Sequence, residues 1–204
     1  MFTGIVEAQG RIGIVEPVGG DMRLTIVTDS GYLNGINLGD SIAVNGVCLT
    51  AVALPPGGFV ADVSIETLNA TTAKYWHAGT SVNLERALTP QKPLGGHMMS
   101  GHVDGVAHLV EKHEDARSWR LTFEMPAALA RYLVKKGSVA IDGVSLTVNE
   151  VTGVGAGARF EVNIIPHTWT HTTLGAIKPG GEVNLEVDLI ARYLERLVEA
   201  RELK

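Results

Sequence analysis

The chain carries its own sequence twice, and this repeat limits the possible folds more than any other feature. Ser41 to Thr50 reads SIAVNGVCLT and Ser138 to Thr147 reads SVAIDGVSLT, 97 residues on, with only mild exchanges between them. Gly4-Ile5-Val6 aligns with Gly101-His102-Val103 at the same offset. Further along, Gly79 to Glu85 (GTSVNLE) matches Gly180 to Glu186 (GGEVNLE) at an offset of 101, as Glu66-Thr67 matches His167-Thr168. The second copy thus holds four extra residues, placed most simply in the Gly-rich stretch Gly153 to Ala158. Such a period is too long for a solenoid unit and has the size of a small domain. It predicts two similar domains in tandem, residues 1–97 and 98–188, and a tail, 189–204.

Each copy reads as short β-branched runs bounded by Gly, Pro, Asn or Asp. In the first they are Met22–Thr28, Ser41–Val44, Val47–Leu54, Phe59–Ile65 and Val82–Leu88. In the second they are Val103–Val110, Arg120–Glu124, Val139–Ile141, Val144–Val151, Phe160–Ile165 and Val183–Leu189. Asn45-Gly46 and Asp142-Gly143 between apolar runs are hairpin signals. Many short strands favour an all-β barrel, which removes exposed edges by closing on itself. Brief helices are expected at Thr71–His77 and at Ala127–Val134. From Leu189 to Glu202 the pattern changes: Leu189, Ile190, Tyr193, Leu194, Leu197 and Val198 recur at helical spacing opposite a charged face. This amphipathic helix lies outside both repeats and either caps a domain or packs against another copy of the protein, oligomerisation being the favoured reading since each repeat already looks complete.

Composition narrows the function classes. A net charge of −5 argues against general nucleic-acid binding. No apolar run approaches the roughly 20 residues of a membrane helix, and the first residues do not read as a secretory signal. One Cys excludes an intrachain disulfide and suits a reducing compartment, so a cytoplasmic protein is expected. No phosphate-binding Gly loop, dinucleotide fingerprint or nucleophile elbow is present. His97 with His102, and His167 with His171, lack a third ligand at a workable spacing, so no metal is expected. His97 and His171 read as surface or loop histidines.

Two differences between the copies carry chemistry. Cys48 stands where the second copy has Ser145, on one strand face with Thr50 as Ser145 is with Thr147, and across the hairpin from Ala43. As a thiol it is a candidate nucleophile; as a small apolar group it is a core filler. His102 stands where the first copy has Ile5, a titratable ring in place of an alkyl group. Lys136 is either a helix-terminal cation or a ligand contact. Two equivalent pockets with unequal linings suit a reaction between two copies of one small ligand.

MFTGIVE, NGVCLT, GGHMMSGHVDG, IDGVSLTVNEV and IPHTWTHTTL, in this order and duplicated, closely resemble the riboflavin synthases of the α-chain type over essentially the whole chain. The resemblance implies two six-stranded Greek-key β-barrels and a C-terminal helix that holds a homotrimer, with lumazine synthase a candidate further partner. It implies dismutation of two 6,7-dimethyl-8-ribityllumazine molecules by four-carbon transfer, giving riboflavin and 5-amino-6-ribitylaminouracil, with no cofactor. The site would lie between the N-barrel of one subunit and the C-barrel of the next. It carries over an N-barrel pocket of Gly4, Ile5, Val6, Ser41, Cys48, Leu49, Thr50 and Asp62-Val63-Ser64-Ile65-Glu66-Thr67. The C-barrel pocket would use Gly101, His102, Val103, Lys136, Ser145, Leu146, Thr147 and Ile164-Ile165-Pro166-His167-Thr168-Trp169. Ser41, Cys48, His102 and Asp188 are the expected catalytic groups. Trp169 departs from the smaller apolar residue expected there. A non-catalytic lumazine- or flavin-binding antenna protein of the same fold is the alternative, and a ligand-free interaction protein a third. Ser145, Thr147 and His102 beside Cys48 favour the enzyme.

Overall fold

The computed structural model describes residues 1–153 and 157–202. The described chain forms two closed six-stranded antiparallel barrels and a terminal helix. The first comprises β1 (Ala8–Val18), β2 (Asp21–Val27), β3 (Ser41–Val44), β4 (Val47–Ala53), β5 (Gly58–Val63) and β6 (Ser81–Arg86), with helix α1 (Ile65–Ala70) before β6. The second comprises β7 (Gly105–Asp115), β8 (Ser118–Glu124), β9 (Ser138–Ile141), β10 (Val144–Thr152), β11 (Arg159–Ile164) and β12 (Glu182–Val187), with α2 (Pro166–His171) before β12. Helix α3 spans Leu189–Glu202. The strand order β1-β2-β5-β4-β3-β6 recurs around the second barrel as β7-β8-β11-β10-β9-β12, a Greek key in both. The offset changes between β10 and β11. That connection includes residues 154–156, which lie outside the described residues, as do 203–204 of the tail.

Strand alternation builds each core. Along β4, Val47, Leu49 and Ala51 are buried while Cys48, Thr50 and Val52 face outward. Phe59, Leu24 and Ile26 fill one barrel; Phe123 and Phe160, stacked with ring centroids 5.4 Å apart, fill the other.

Strand β1 is absent from the sequence expectation, and its composition explains why. AQGRIGIVEPV contains two glycines and a proline, which read as punctuation. Gly10 is instead a packing site, since a Cβ there would lie 2.8 Å from Leu84 Cδ1, and Gly13 sits in a β-bulge between Ile12 and Ile14. The expected helix at Thr71–His77 is displaced too. Ser64 caps α1 by accepting from the Thr67 N–H, so the helix starts earlier and a 3₁₀ turn follows at Thr72–Tyr75. Ala127–Tyr132 is likewise 3₁₀ rather than a longer helix, and α2, which the sequence reading does not include, starts on Pro166 directly after the strand.

The two copies meet across an approximate twofold axis, and the repeated motifs lie on it. Both hairpin tips are type I′ turns: Asn45 and Gly46 have φ of 43° and 79°, Asp142 and Gly143 of 45° and 77°. The tips touch, and a Cβ on Gly46 would lie 2.8 Å from Gly143 N, so only glycine fits. Asn83 Nδ2 donates to Asp142 O and Asn184 Nδ2 to Asn45 O, both at 2.9 Å. Asn83 Oδ1 accepts from Thr173 N and Asn184 Oδ1 from Thr72 N, both at 2.8 Å. At the other end of the seam Phe2 and Met99, also repeat equivalents, pair with each other through bonds of 2.8 and 3.1 Å.

Asn45 and Asp142 occupy equivalent places but differ in charge. Burial pushes the Asp142 carboxyl up to about 7, against the bond it accepts from Asn184 N. The folded chain therefore holds a proton that the unfolded chain, with an ordinary carboxylate near 4, releases. Stability falls as pH rises through that window. Asp142→Asn is expected to be more stable than the parent chain. Its advantage should grow by up to about 1.4 kcal/mol per pH unit between about pH 4 and 7, then level off. Urea unfolding at a series of pH values measures this.

Candidate active site

Each copy begins with a short strap that leaves its own barrel to complete the other. In the first strap a buried carboxylate, Glu85 on β6, accepts from Thr3 N at 2.8 Å, Thr3 Oγ1 at 2.7 Å and Gly4 N at 2.9 Å. Glu186 on β12 does the same for Ser100 N and Oγ at 2.7 Å and Gly101 N at 3.1 Å. The straps then cross. Gly4 O accepts from Ser145 N of the second barrel at 2.9 Å, and Gly101 O from Cys48 N of the first at 2.8 Å. Val6 packs on the second core and Val103 on the first.

This crossing re-sorts the expected pockets. Gly101, His102 and Val103 line a cavity of about 230 Å³ with Val47, Cys48, Glu66, Thr67 and Thr71 of the first barrel. Val6, with Glu7 to Gln9, lines one of about 420 Å³ with His167, Thr170 and His171 of the second. The grouping of Gly4–Val6 with Cys48, and of Gly101–Val103 with Ser145, is therefore corrected. Repeat offsets say which residues are equivalent, not which barrel a strap crosses to.

The remaining expected residues divide as follows. Cys48 is half-buried on the outer face of β4, and Thr50 beyond it is exposed. Leu49 turns inward to the core, and Leu146 packs partly against the second core. Val63 and Ile164 are core residues. Asp62 is tied to Arg23 in an exposed ion pair at 2.7 Å. Ser64 caps α1, while Ile65 and Ile165 stand exposed beside the helix starts. Pro166 opens α2, where Thr168 is half-buried, and Thr147 is exposed on β10. Lys136 is exposed at φ 69°, the place of Gly39 in the first copy, and lines none of these cavities. Ser41 faces a different cavity from Cys48, about 520 Å³ beside Arg86 and Lys92. Asp188 Oδ1 accepts from Ile190 N at the start of α3.

His97 corrects the expectation of a surface histidine. It is 8% exposed, its N donates to Thr3 O at 3.1 Å, and its Nδ1 lies 2.7 Å from Ser145 Oγ. Nε2 is buried without a partner. Burial holds its pKa below the ordinary imidazole range, against the charges of Asp188 and Glu85. A neutral ring next to a serine hydroxyl can accept that hydroxyl's proton. The residue has no counterpart in the first copy, so the repeat carries no signal for it. The two histidines of GGHMMSGH thus serve different barrels, His97 at Ser145 and His102 at Cys48. His171 is exposed, and its ring stacks on that of His167 at 4.1 Å.

Trp169 is not a ligand wall standing free. It stacks on Trp119 with ring centroids 4.2 Å apart and planes at 3°, and Lys112 Nζ lies 5.1 Å over it, donating to Ile177 O at 2.6 Å. The first copy places Leu68 and Met22 at these positions, so the larger residue is absorbed by a second large residue.

A family model for the lumazine binding domain matches residues 3–87 and again 100–188. The riboflavin synthase of Photobacterium phosphoreum is 46% identical over 198 residues, covering 97% of this chain and 89% of that protein. That of Mycobacterium bovis is 47% identical over 208 residues, covering 98% and 99%. The chain belongs to the riboflavin synthase family. Among solved structures, LumP complexed with riboflavin superposes with a TM-score of 0.83 at 26% identity, covering 92% of this chain and 99% of that one. LumP complexed with 6,7-dimethyl-8-(1'-D-ribityl) lumazine gives 0.81 at 25%, with the same coverage. This riboflavin synthase family member is an enzyme by that relationship, and its two matched segments are its two barrels.

The strap crossing leaves no room at its tightest point. A Cβ on Gly101, at φ 78°, would lie 2.6 Å from Cys48 Cβ and 2.9 Å from Phe2 Cε2. Gly101→Ala is expected to cost roughly 2–4 kcal/mol, through left-handed backbone strain and overpacking. Urea denaturation measures the loss, and alkylation of Cys48 should become faster as the strap lifts.

Proposed function

We propose that the chain is a riboflavin synthase that dismutates two molecules of 6,7-dimethyl-8-ribityllumazine. One gives up a four-carbon unit and leaves as 5-amino-6-ribitylaminouracil; the other gains it and becomes riboflavin. The observation that carries the reading is the pair of equivalent but unequal settings, a cavity lined by Cys48 and His102 in the first barrel and a buried Ser145–His97 contact at the same place in the second, in a chain 46–47% identical to named riboflavin synthases. Two molecules of one substrate then occupy related sites and play different parts.

The chemistry follows from the linings. One lumazine loses a proton from its C7 methyl, giving a carbanion delocalised into the ring. The other is made electrophilic by a nucleophile adding at C7. His102 shuttles the proton, and Cys48, Ser41 or a bound water supplies or positions the nucleophile. Asp188 assists through its field at His97. Backbone groups and the Ser and Thr hydroxyls hold the pyrimidine edge, since buried polar atoms need partners. Stacking the two ring systems face to face contributes much of the rate by proximity.

The two cavities share no lining residue, which supports a reaction across subunits rather than within one chain. We place the reaction between the first barrel of one subunit (1–97) and the second barrel of its neighbour (98–188), in a homotrimer held by 189–204. Helix α3 supports this: Ile190, Tyr193, Leu194, Leu197 and Val198 are all more than half exposed. Among the described residues no helix is long and apolar enough to cross a membrane, and the single thiol suits a cytoplasmic setting. Lumazine synthase, as supplier of the substrate, is a candidate partner for co-elution tests.

The purified protein is expected to convert the lumazine to riboflavin with no added cofactor, read by absorbance. Binding without turnover would overturn the enzyme reading in favour of a non-catalytic lumazine- or flavin-binding antenna protein. Cys48→Ser should lower turnover by about tenfold or more while ligand binding persists. Deleting 189–204 should give smaller species by light scattering and abolish activity; a fully active truncated monomer would overturn the intersubunit site.

A further inference from the structure

The two straps are held by cations of different origin. In the first, Glu7 pairs with Arg86 at 2.6 Å and Lys92 at 2.7 Å. Both cations belong to the same copy, and although burial alone would raise it, they hold the Glu7 carboxyl below its ordinary range. Its repeat equivalent in the second strap is Asp104, 97 residues on. Asp104 is more deeply set, with its side chain 2% exposed. Its N donates to Leu185 O at 2.8 Å and its Oδ2 accepts from Val187 N at 2.7 Å. Its cation comes from outside the repeat: Arg192 on α3, whose Nη1 lies 2.9 Å from Asp104 Oδ1, an ion pair to a buried oxygen that has no hydrogen-bond partner among the described residues. Burial raises the Asp104 carboxyl, against the Val187 bond and the Arg192 charge. A buried carboxylate stripped of its cation is strongly disfavoured.

His102 sits between the two anchors of this strap, Gly101 on Cys48 and Asp104 on β12. Its own backbone bond is to Ser100 Oγ at 3.2 Å. Helix α3 is fastened to its barrel by few polar contacts: Arg192 to Asp104, Arg131 to Glu195 at 2.8 Å, and Tyr132 to Glu195. Its apolar face is open in the single chain. We propose that Arg192 is a positioning residue for His102: it couples helix α3, and with it subunit assembly, to the strap that completes the Cys48 pocket. The strap that carries the titratable ring is thereby the one that assembly controls, while the first strap is clamped by its own copy. This rests on the oligomer proposed above.

Hydrogen exchange on the full-length protein tests it without needing activity. Peptides covering residues 98–106 report the second strap, and those covering 1–9 the first, which serves as an internal control. Dilution to dissociated subunits should speed exchange in 98–106 well beyond the change in 1–9, since both straps line cavities that face another subunit but only the second is tied to helix α3. Arg192→Met, at a concentration where light scattering shows full assembly, should do the same, and Arg192→Lys should restore most of the protection. In turnover assays Arg192→Met should lower kcat about tenfold with KM within about twofold, since the lesion misplaces a proton-transfer group rather than removing binding area. Protection of 98–106 that is independent both of dilution and of Arg192→Met would overturn the coupling. So would equal acceleration in both straps, which would mark general loosening. A protein that never turns over the lumazine would sink the enzyme reading and leave the exchange result to stand by itself. Should Arg192→Met fail to fold, the dilution experiment on the unmodified chain still decides.

Discussion

Everything in this molecule hangs on two carboxylates buried where the copies meet. Glu85 and Glu186 cannot be left bare in the seam, and the donors that satisfy them are the backbone amides and hydroxyls of the straps, joined at Glu85 by the Lys92 ammonium. Meeting that demand pulls each strap into one geometry and aims its glycine carbonyl at the opposite barrel. The Asn83 and Asn184 side chains close the rest of the seam, each bonded to both a hairpin carbonyl and a helix-turn amide of the other copy. Neither barrel therefore owns a complete pocket, and the pockets are by-products of how the seam is satisfied.

On this symmetric frame the reactive groups are laid asymmetrically. The first barrel receives a thiol and an exposed imidazole; the second receives a hydroxyl with a buried neutral imidazole on it. Cys48, Ser145 and His102 stand on strand faces or a strap crest outside the barrel cores, and His97 is buried between the straps and not in either core, so the two sets can differ without disturbing a core. The Trp119–Trp169 stack shows the same economy, a large exchange absorbed by a matching one.

Much of this was legible in the residues. The offsets, the hairpin dipeptides and the alternation of Val47 to Ala51 predict barrels, and the spacing in 189–202 predicts α3 with its observed limits. Strand β1 was not legible, because Gly10 and Gly13 act there as close-packing sites rather than breakers. The exchange of the straps was not legible either, since it depends on three-dimensional crossing of two segments that look alike. His97 read as a surface or loop histidine because the repeat offers no aligned residue to compare it with, and its partner Ser145 is 48 positions away.

The tip-to-tip contact of Gly46 and Gly143 has a consequence for how such a chain can change. A residue on the axis faces its own duplicate, so a substitution in one copy alters the surroundings of the other, and drift there must be matched in both halves. Gly46 and Gly143, Asn83 and Asn184, Glu85 and Glu186 are under that constraint and are identical, while Asn45 and Asp142, and Phe2 and Met99, differ on the seam and keep its backbone geometry. Outward positions face no duplicate, and it is there that Cys48 and Ser145, Ile5 and His102, Glu66 and His167 have parted. The repeat visible in the sequence is thus the imprint of the seam, and the places where it fails mark out where the two halves were free to become different.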